Sequence, residues 1–208
     1  MSSSALTAEH VGHRFGPRIL FRDLSFSLSG GESLAVTGPN GSGKSTLLLI
    51  LAGLLTPRRG RIELRLSAGH AVERVQHPLR CGFMAPRMNV YGGLTALENL
   101  MFIARARRLA GGPERASELL ERMGLSARAE DPVSTFSSGM IQRMKLACAL
   151  LPEPELLLLD EPTVTLDAAG HEVVQLAVAD HLATGGMVVL ATNVPAEADF
   201  CQRSLDLT

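Results

Sequence analysis

The sequence runs to 208 residues, 46% of them hydrophobic and 20% charged. That balance excludes an intrinsically disordered chain and leaves enough apolar surface for a sizeable core in one large domain or two small ones. A formal net charge of −1 supplies no field able to hold a polyanion, which sets nucleic acid aside as a partner.

Cys81, Cys148 and Cys201 lack CxxC spacing and sit among apolar or ordinary neighbours, the pattern of buried reduced thiols in a cytosolic compartment. The N-terminal stretch MSSSALTAEH has no apolar segment behind a basic region, so no signal peptide is expected. The longest apolar run, residues 47–55, is interrupted by Gly53 and falls short of the ~20 residues that a membrane helix needs. Work at a membrane would therefore require another chain to span it.

In chain order, residues 20–28 (LFRDLSFSL) alternate apolar and polar side chains before Gly30 and Gly31, which predicts a strand closed by a turn. Residues 33–38 (SLAVTG) read as a buried strand that runs into the glycine-rich GPNGSGKST. STLLLILAGLL, residues 45–55, has helical length and is apolar on most faces. Strand, loop and buried helix in that order imply an α/β fold. After a turn at 57–60 (PRRG), residues 61–66 (RIELRL) alternate again as a half-exposed strand.

From about residue 94 to 151 the texture becomes helical, with TALENLMFIARARRLA and PERASELLERMGL started by Thr95 and Pro113. This predicts a helical insert over about 87–151. Residues 155–160 (ELLLLD) and 186–193 (GMVVLATN) return to continuous apolar runs, as inner parallel strands do. The helix between them, 168–183, would cover the sheet. There is no internal repeat, and the chain is expected to stop soon after the last strand without an appended regulatory domain.

Gly38, Pro39, Asn40, Gly41, Ser42, Gly43, Lys44 and Ser45 fulfil GxxxxGK[ST], followed by Thr46. With a strand before it and a helix after it, the motif reads as a phosphate-binding loop of an ATP site. Its backbone N–H groups would turn towards the β-phosphate and a helix N-terminus would add a positive dipole end. Lys44 would reach the β- and γ-phosphates and the Ser45 hydroxyl would ligate Mg²⁺. The competing reading is a glycine-rich turn that only connects two elements. Asp160, at the end of an apolar strand, falls at the carboxyl edge of the sheet where ligands bind in open α/β folds, and would hold the Mg²⁺ shell. Glu161 beside it could polarise water for in-line attack on the γ-phosphate. Taken without the loop, the two acids would read as a solvated pair at a strand end.

Further motifs follow in a fixed order: LTALENL (94–100), FSSGM (136–140) leading into IQRMKLACALL, LLLLDEP (156–162) and TLD (165–167). Together with the phosphate loop they resemble the ABC ATPase family over nearly the whole chain. FSSGM is similar to the family signature LSGGQ, with Ser138 in place of a glycine and Met140 in place of the glutamine. The resemblance implies an ATPase of α/β class, a P-loop core with a mostly parallel sheet, an N-terminal antiparallel β subdomain and an inserted helical subdomain, all within one nucleotide-binding domain over 1–208. It further implies a second ATP-binding domain, so that Ser137, Ser138, Gly139 and Met140 contact ATP held by the partner's loop, with Asp167 linking the two sites. A serine hydroxyl and helix-start amides suit that anion, though Ser137 or Ser138 would equally serve as an ordinary N-cap. Phe15 stands where the family stacks an aromatic on adenine; a Phe at a strand end can also be core.

Two positions depart from the family. Counted back from Leu94 and Thr95 through Val90 and Tyr91, the family's loop glutamine falls on Pro86 in GFMAPRMNVYGG, which has no side-chain amide, and Gln76 lies too far upstream to replace it. Its switch histidine falls on Asn193, which can hydrogen-bond a γ-phosphate but carries neither charge nor proton. The family resemblance implies an ATPase on the cytoplasmic face of the inner membrane, peripheral to an integral membrane permease, with ATP and Mg²⁺ as ligands. A soluble member acting on ribosomes or DNA, a non-hydrolysing nucleotide sensor and a degenerate partner in a heterodimer remain as rivals. Among transporters, a small cassette with LTALENL resembles the ATPase of bacterial haem exporters in cytochrome c maturation, although general efflux systems share the same parts.

Overall fold

The computed structural model describes residues 4–67 and 69–208. It carries two sheets. The first is antiparallel, in the order β2-β1-β4-β5, from β1 (Ala5–Phe15), β2 (Arg18–Ser29), β4 (Arg59–Arg65) and β5 (Ala71–Val72). The second has five strands in the order β6-β7-β8-β3-β9, from β3 (Ser33–Thr37), β6 (Cys81–Met84), β7 (Leu156–Asp160), β8 (Met187–Ala191) and β9 (Arg203–Asp206). All of its pairings are parallel. The fold class expected from the motifs is therefore observed.

β3, β7 and β8 are buried along nearly their whole length because both sheet faces are covered, which is why they read as unbroken apolar runs. Alternate residues serve two different cores, as the two-residue period of a strand requires. Leu157, Leu159, Val188 and Leu190 face a cluster with Leu100, Leu120 and Met144. These come from α3 (Ala96–Arg107), α4 (Gly112–Arg122) and α5 (Ser138–Leu150), and α6 (Ala168–Ala183) adds Val174 and Val178. Leu156, Leu158 and Val189 face the opposite way, towards Leu47, Leu48 and Leu51 of α1 (Lys44–Leu51) and Leu6, Val11 and Leu28 of the antiparallel sheet.

Several boundaries differ from the sequence expectation. The helix after the phosphate loop ends at Leu51 rather than near residue 55, because Gly53 enters the left-handed region (φ 76°) and the amides of Leu54 and Leu55 both turn back to the Leu49 carbonyl, a C-terminal stop that apolarity does not disclose. The strand expected over 186–193 closes at Ala191. It is also not the last one, since β9 pairs with β3 at the sheet edge. Thr95 caps α3 in a full capping box with Glu98, as its start signal promised. Two short helices, α2 (His77–Arg80) and α7 (Pro195–Ala198), complete the elements used below. Among the described residues no helix is long and apolar enough to cross a membrane.

Candidate functional site

β3 delivers the chain to residues 38–43 at the carboxyl edge of the parallel sheet, and α1 starts at Lys44. Two glycines make this geometry possible. Gly38 has φ 139°, and a Cβ there would lie 2.9 Å from Ser42 Oγ; Gly43 has φ 110°, and its Cβ would lie 3.0 Å from Leu20 Cβ and 3.1 Å from the Phe21 ring. Gly43 occupies the N-cap position without any side-chain hydrogen bond. The start of α1 is thus a concave backbone surface of the kind that accepts anions. Lys44 is only 6% exposed. Its Nζ donates to the carbonyl oxygens of Gly38 at 2.7 Å and Pro39 at 3.2 Å, which keeps an ammonium across the mouth of the loop.

Asp160 closes β7 between β6 and β8 and is equally buried. Burial pushes its carboxyl pKa up, while a hydrogen bond with the Ser45 side chain and the Lys44 charge pull the other way. A hydroxyl, a carboxylate and an ammonium thus meet at one edge of the sheet. Glu161, one residue on, holds a left-handed backbone (φ 49°), a conformation that costs a non-glycine residue energy and needs its surroundings to enforce it. Its amide donates to Ala191 O at 2.9 Å, and the Gln142 side chain donates to the carbonyls of Glu161 at 3.2 Å and Pro162 at 3.1 Å. Asn193, just past β8, reaches Asn40 of the loop, with its Nδ2 3.4 Å from Asn40 Oδ1.

The β1–β2 hairpin brings Phe15 to the same side of the molecule, because Arg18 Nη2 donates to Gly41 O at 2.8 Å. Phe15 is 53% exposed and stands edge-on to His13, with ring centroids 4.9 Å apart. The signature segment lies elsewhere. Ser137 caps α5, its hydroxyl accepting from the Met140 amide at 3.3 Å. Ser137 and Ser138 are exposed and Gly139 and Met140 half-buried, and Gly139 packs beside Thr165 and Leu166. Asp167 caps α6, accepting from Gly170 N at 2.8 Å. Among the described residues, no hydrogen bond joins 137–140 to 38–46.

Three residues that the sequence reading passed over hold the site's surroundings. Gln142 and Lys145 point from α5, and Lys145 Nζ donates to Pro86 O at 2.8 Å. Glu197, buried in α7, accepts from the amide and hydroxyl of Thr163, tying the segment after β8 to the one after β7. The sequence signal for the first two is weak, a pair of polar residues spaced i, i+3 in a helix that also carries Arg143 between them. All three cysteines are free; burial pushes Cys81 and Cys148 up to about 12 and Cys201 up to about 11, so these thiols are not nucleophiles at neutral pH.

A family model for the ABC transporter matches residues 21–164. The chain belongs to the ABC transporter family. It is an ATP-binding, ATPase subunit of that family. It is 36% identical over 203 residues to the linearmycin resistance ATP-binding protein LnrL of Bacillus subtilis (strain 168), covering 95% of this chain and 64% of that protein. It is 39% identical over 198 residues to the cytochrome c biogenesis ATP-binding export protein CcmA of Paramagnetospirillum magneticum (strain ATCC 700264 / AMB-1), covering 93% of this chain and 89% of that one. The ATP-binding cassette MJ0796, solved as a dimer in a post-hydrolysis state bound to ADP and Pi, superposes with a TM-score of 0.83 at 27% identity, over 98% of this chain and 94% of the other.

Proposed function

We propose that residues 1–208 act as one nucleotide-binding unit, with its helical insert at about 87–151, that binds and hydrolyses Mg²⁺-ATP to drive an ABC transporter. The observation that carries this reading is the convergence of Lys44, Ser45 and Asp160 at the carboxyl edge of the parallel sheet. The loop of Gly38, Pro39, Asn40, Gly41, Ser42 and Gly43 cradles the phosphates with the backbone N–H groups of its residues other than Pro39 and that of Thr46, and Lys44 exchanges its bonds to Gly38 O and Pro39 O for the β- and γ-phosphates. Ser45 and Asp160 offer two hard oxygens, a donor set that suits Mg²⁺, which completes its shell with water and substrate phosphates. Bound there, the ion would neutralise charge on the transferring phosphoryl group.

Glu161 is the base. It takes a proton from water as the water oxygen attacks the γ-phosphorus and the bond to the β-phosphate oxygen breaks, leaving ADP and phosphate. Asn193 contributes a hydrogen bond from Nδ2 to the γ-phosphate. Phe15 stacks on adenine. Ser137, Ser138, Gly139 and Met140 serve the nucleotide of a second ATP-binding domain, of the same or another chain, as the dimeric neighbour and the exposed hydroxyls at the α5 N-terminus favour. On the helical insert, the exposed rings of Tyr91 and Phe102 meet edge-on at 5.1 Å. They suit an apolar contact with an integral membrane permease; with such a partner the subunit would work at the periphery of the cytoplasmic face of the inner membrane.

For cargo we propose haem export in cytochrome c biogenesis, supported by the 39% identity to CcmA. Export of another compound is the second reading, supported by the 36% identity to LnrL. Co-expression with the neighbouring membrane-protein gene tests both. Restored maturation of c-type cytochromes in a strain lacking its own exporter ATPase supports the first, and drug resistance without maturation supports the second. The hydrolytic assignment is checked by Glu161→Gln, which should keep Mg²⁺-ATP bound while turnover falls by about 10²–10⁴-fold, the range of a lost general base. Unaltered turnover would remove Glu161 from that role.

A further inference from the structure

β6 and β7 run parallel and in register, Met84 beside Leu159. Pro86 and Glu161 therefore each lie two residues beyond that register pair, on neighbouring chains leaving the sheet. One helix reaches both. On α5, Gln142 holds the carbonyls of Glu161 and Pro162, and three residues later Lys145 holds the carbonyl of Pro86. The spacing puts the two side chains on one face, a turn apart. The other end of the segment after β6 is also held from the helical insert. Asn99 of α3, almost fully buried, accepts from Tyr91 N at 2.8 Å and donates to Tyr91 O at 3.0 Å and Thr95 O at 2.9 Å.

Lys145 is an expensive way to hold a loop. Its side chain is 8% exposed, it has no carboxylate partner among the described residues, and burial lowers its pKa. A buried ammonium is tolerated where its hydrogen bonds are fixed. The helix donates and the loop backbone accepts, a contact that does not depend on the side chain at 86.

We infer that Lys145 is the positioning residue for the segment after β6, fixing the Pro86 carbonyl at a set spacing from the Glu161–Pro162 peptide through α5. The contact ties the chain just past the end of β6 to α5. A displacement of α5 reaches Pro86 and the backbone of Glu161 together, so closure of the insert and alignment of the hydrolytic carboxylate are one motion. The link to hydrolysis rests on the function proposed above; the anchoring of the loop does not.

The test is Lys145→Met, which keeps side-chain length and removes the donor, with Lys145→Arg as the variant that keeps a cation. Amide hydrogen exchange of residues 87–90 in nucleotide-free protein should speed up by about tenfold in the Met variant, as one lost buried hydrogen bond implies, and return towards the parent in the Arg variant. In the complex with its membrane partner, Mg²⁺-ATP affinity should stay within about twofold while kcat falls by about tenfold, since misplacement touches the reacting geometry and not the phosphate grip. Pro86→Gln added to Lys145→Met should leave exchange fast and kcat low. Restoration of both by the glutamine would assign the positioning to the side chain at 86 and overturn the inference, as would unchanged exchange in Lys145→Met. Should that variant lose thermal stability broadly, exchange in Lys145→Arg decides alone: parent-like protection of 87–90 supports the strut and uniform loss of protection across the chain overturns it. A parent complex without turnover would count against the proposed function while the exchange result still stands.

Discussion

The segment that follows β3 and the segment that follows β6 leave the same edge of the parallel sheet, yet they are held by different means. Residues 38–43 hold themselves: Gly38 and Gly43 take left-handed conformations that neighbouring side chains would forbid to anything larger, and Lys44 folds back onto the carbonyls of Gly38 and Pro39. Residues 85–94 are held from outside, by Lys145 of α5 at one end and Asn99 of α3 at the other. A loop fixed by its own backbone is a rigid cradle, and its chemistry travels with the motif. A loop fixed by distant side chains goes where those helices go, which suits a segment that joins the parallel sheet to α3.

The largest expected effect breaks the self-held loop. Lys44→Ala should lower Mg²⁺-ATP affinity by about 100-fold or more, as loss of a charge-assisted contact of ~3 kcal/mol predicts. Because the ammonium bonds only to carbonyls of its own loop, the thermal midpoint should move little. Titration calorimetry on the purified chain reads the first quantity and a melting curve the second. Full affinity in the variant would remove the phosphate grip from this loop.

The externally held loop should respond in the opposite sense. Asn99→Leu takes the partner from the Tyr91 amide and the side-chain donor from the carbonyls of Tyr91 and Thr95, which keep the amides of Leu94 and Asn99, a loss of ~1–3 kcal/mol in unfolding free energy. Denaturant unfolding should show it, and exchange at 91–95 should rise, while nucleotide affinity stays within about threefold because no phosphate contact is lost. Equal losses of stability and affinity would mean that the two loops are coupled more tightly than their hydrogen bonds indicate.

The same contrast explains what could be read from the sequence. The strand, glycine-rich loop and helix over residues 33–51 and the strand that ends at Asp160 were legible because each is defined by neighbours within a few positions. Thr95 was legible for the same reason, its capping box being complete within four residues. Lys145 and Glu197 were not, since their partners Pro86 and Thr163 lie 59 and 34 residues away and neither pairing leaves a local pattern. The end of α1 was misjudged because apolar residues continue past Leu51 while Gly53 turns the backbone. β9 was missed because RSLD is short and exposed, an edge strand whose pairing to β3 is set by the sheet rather than by its own composition.

Phe15 lies between the two cases, and the smallest expected effect sharpens its place. It sits on a self-paired hairpin, but Arg18, three residues on, clips that hairpin to Gly41 of the phosphate loop. The ring is half exposed, and its edge-on contact with His13 leaves a face open, as a stacking platform requires and a core residue does not. Phe15→Ala should therefore weaken ATP and ADP alike by about tenfold, near the low end of the ~1–3 kcal/mol carried by one base–aromatic stack. Inorganic triphosphate, which has no base to stack, should bind equally well to parent and variant, and Phe15→Trp should restore the nucleotide affinity because any aromatic face serves. If the alanine variant instead weakens triphosphate as much as ATP, Phe15 acts through the hairpin and Arg18 on the phosphate loop, and adenine lies against some other surface.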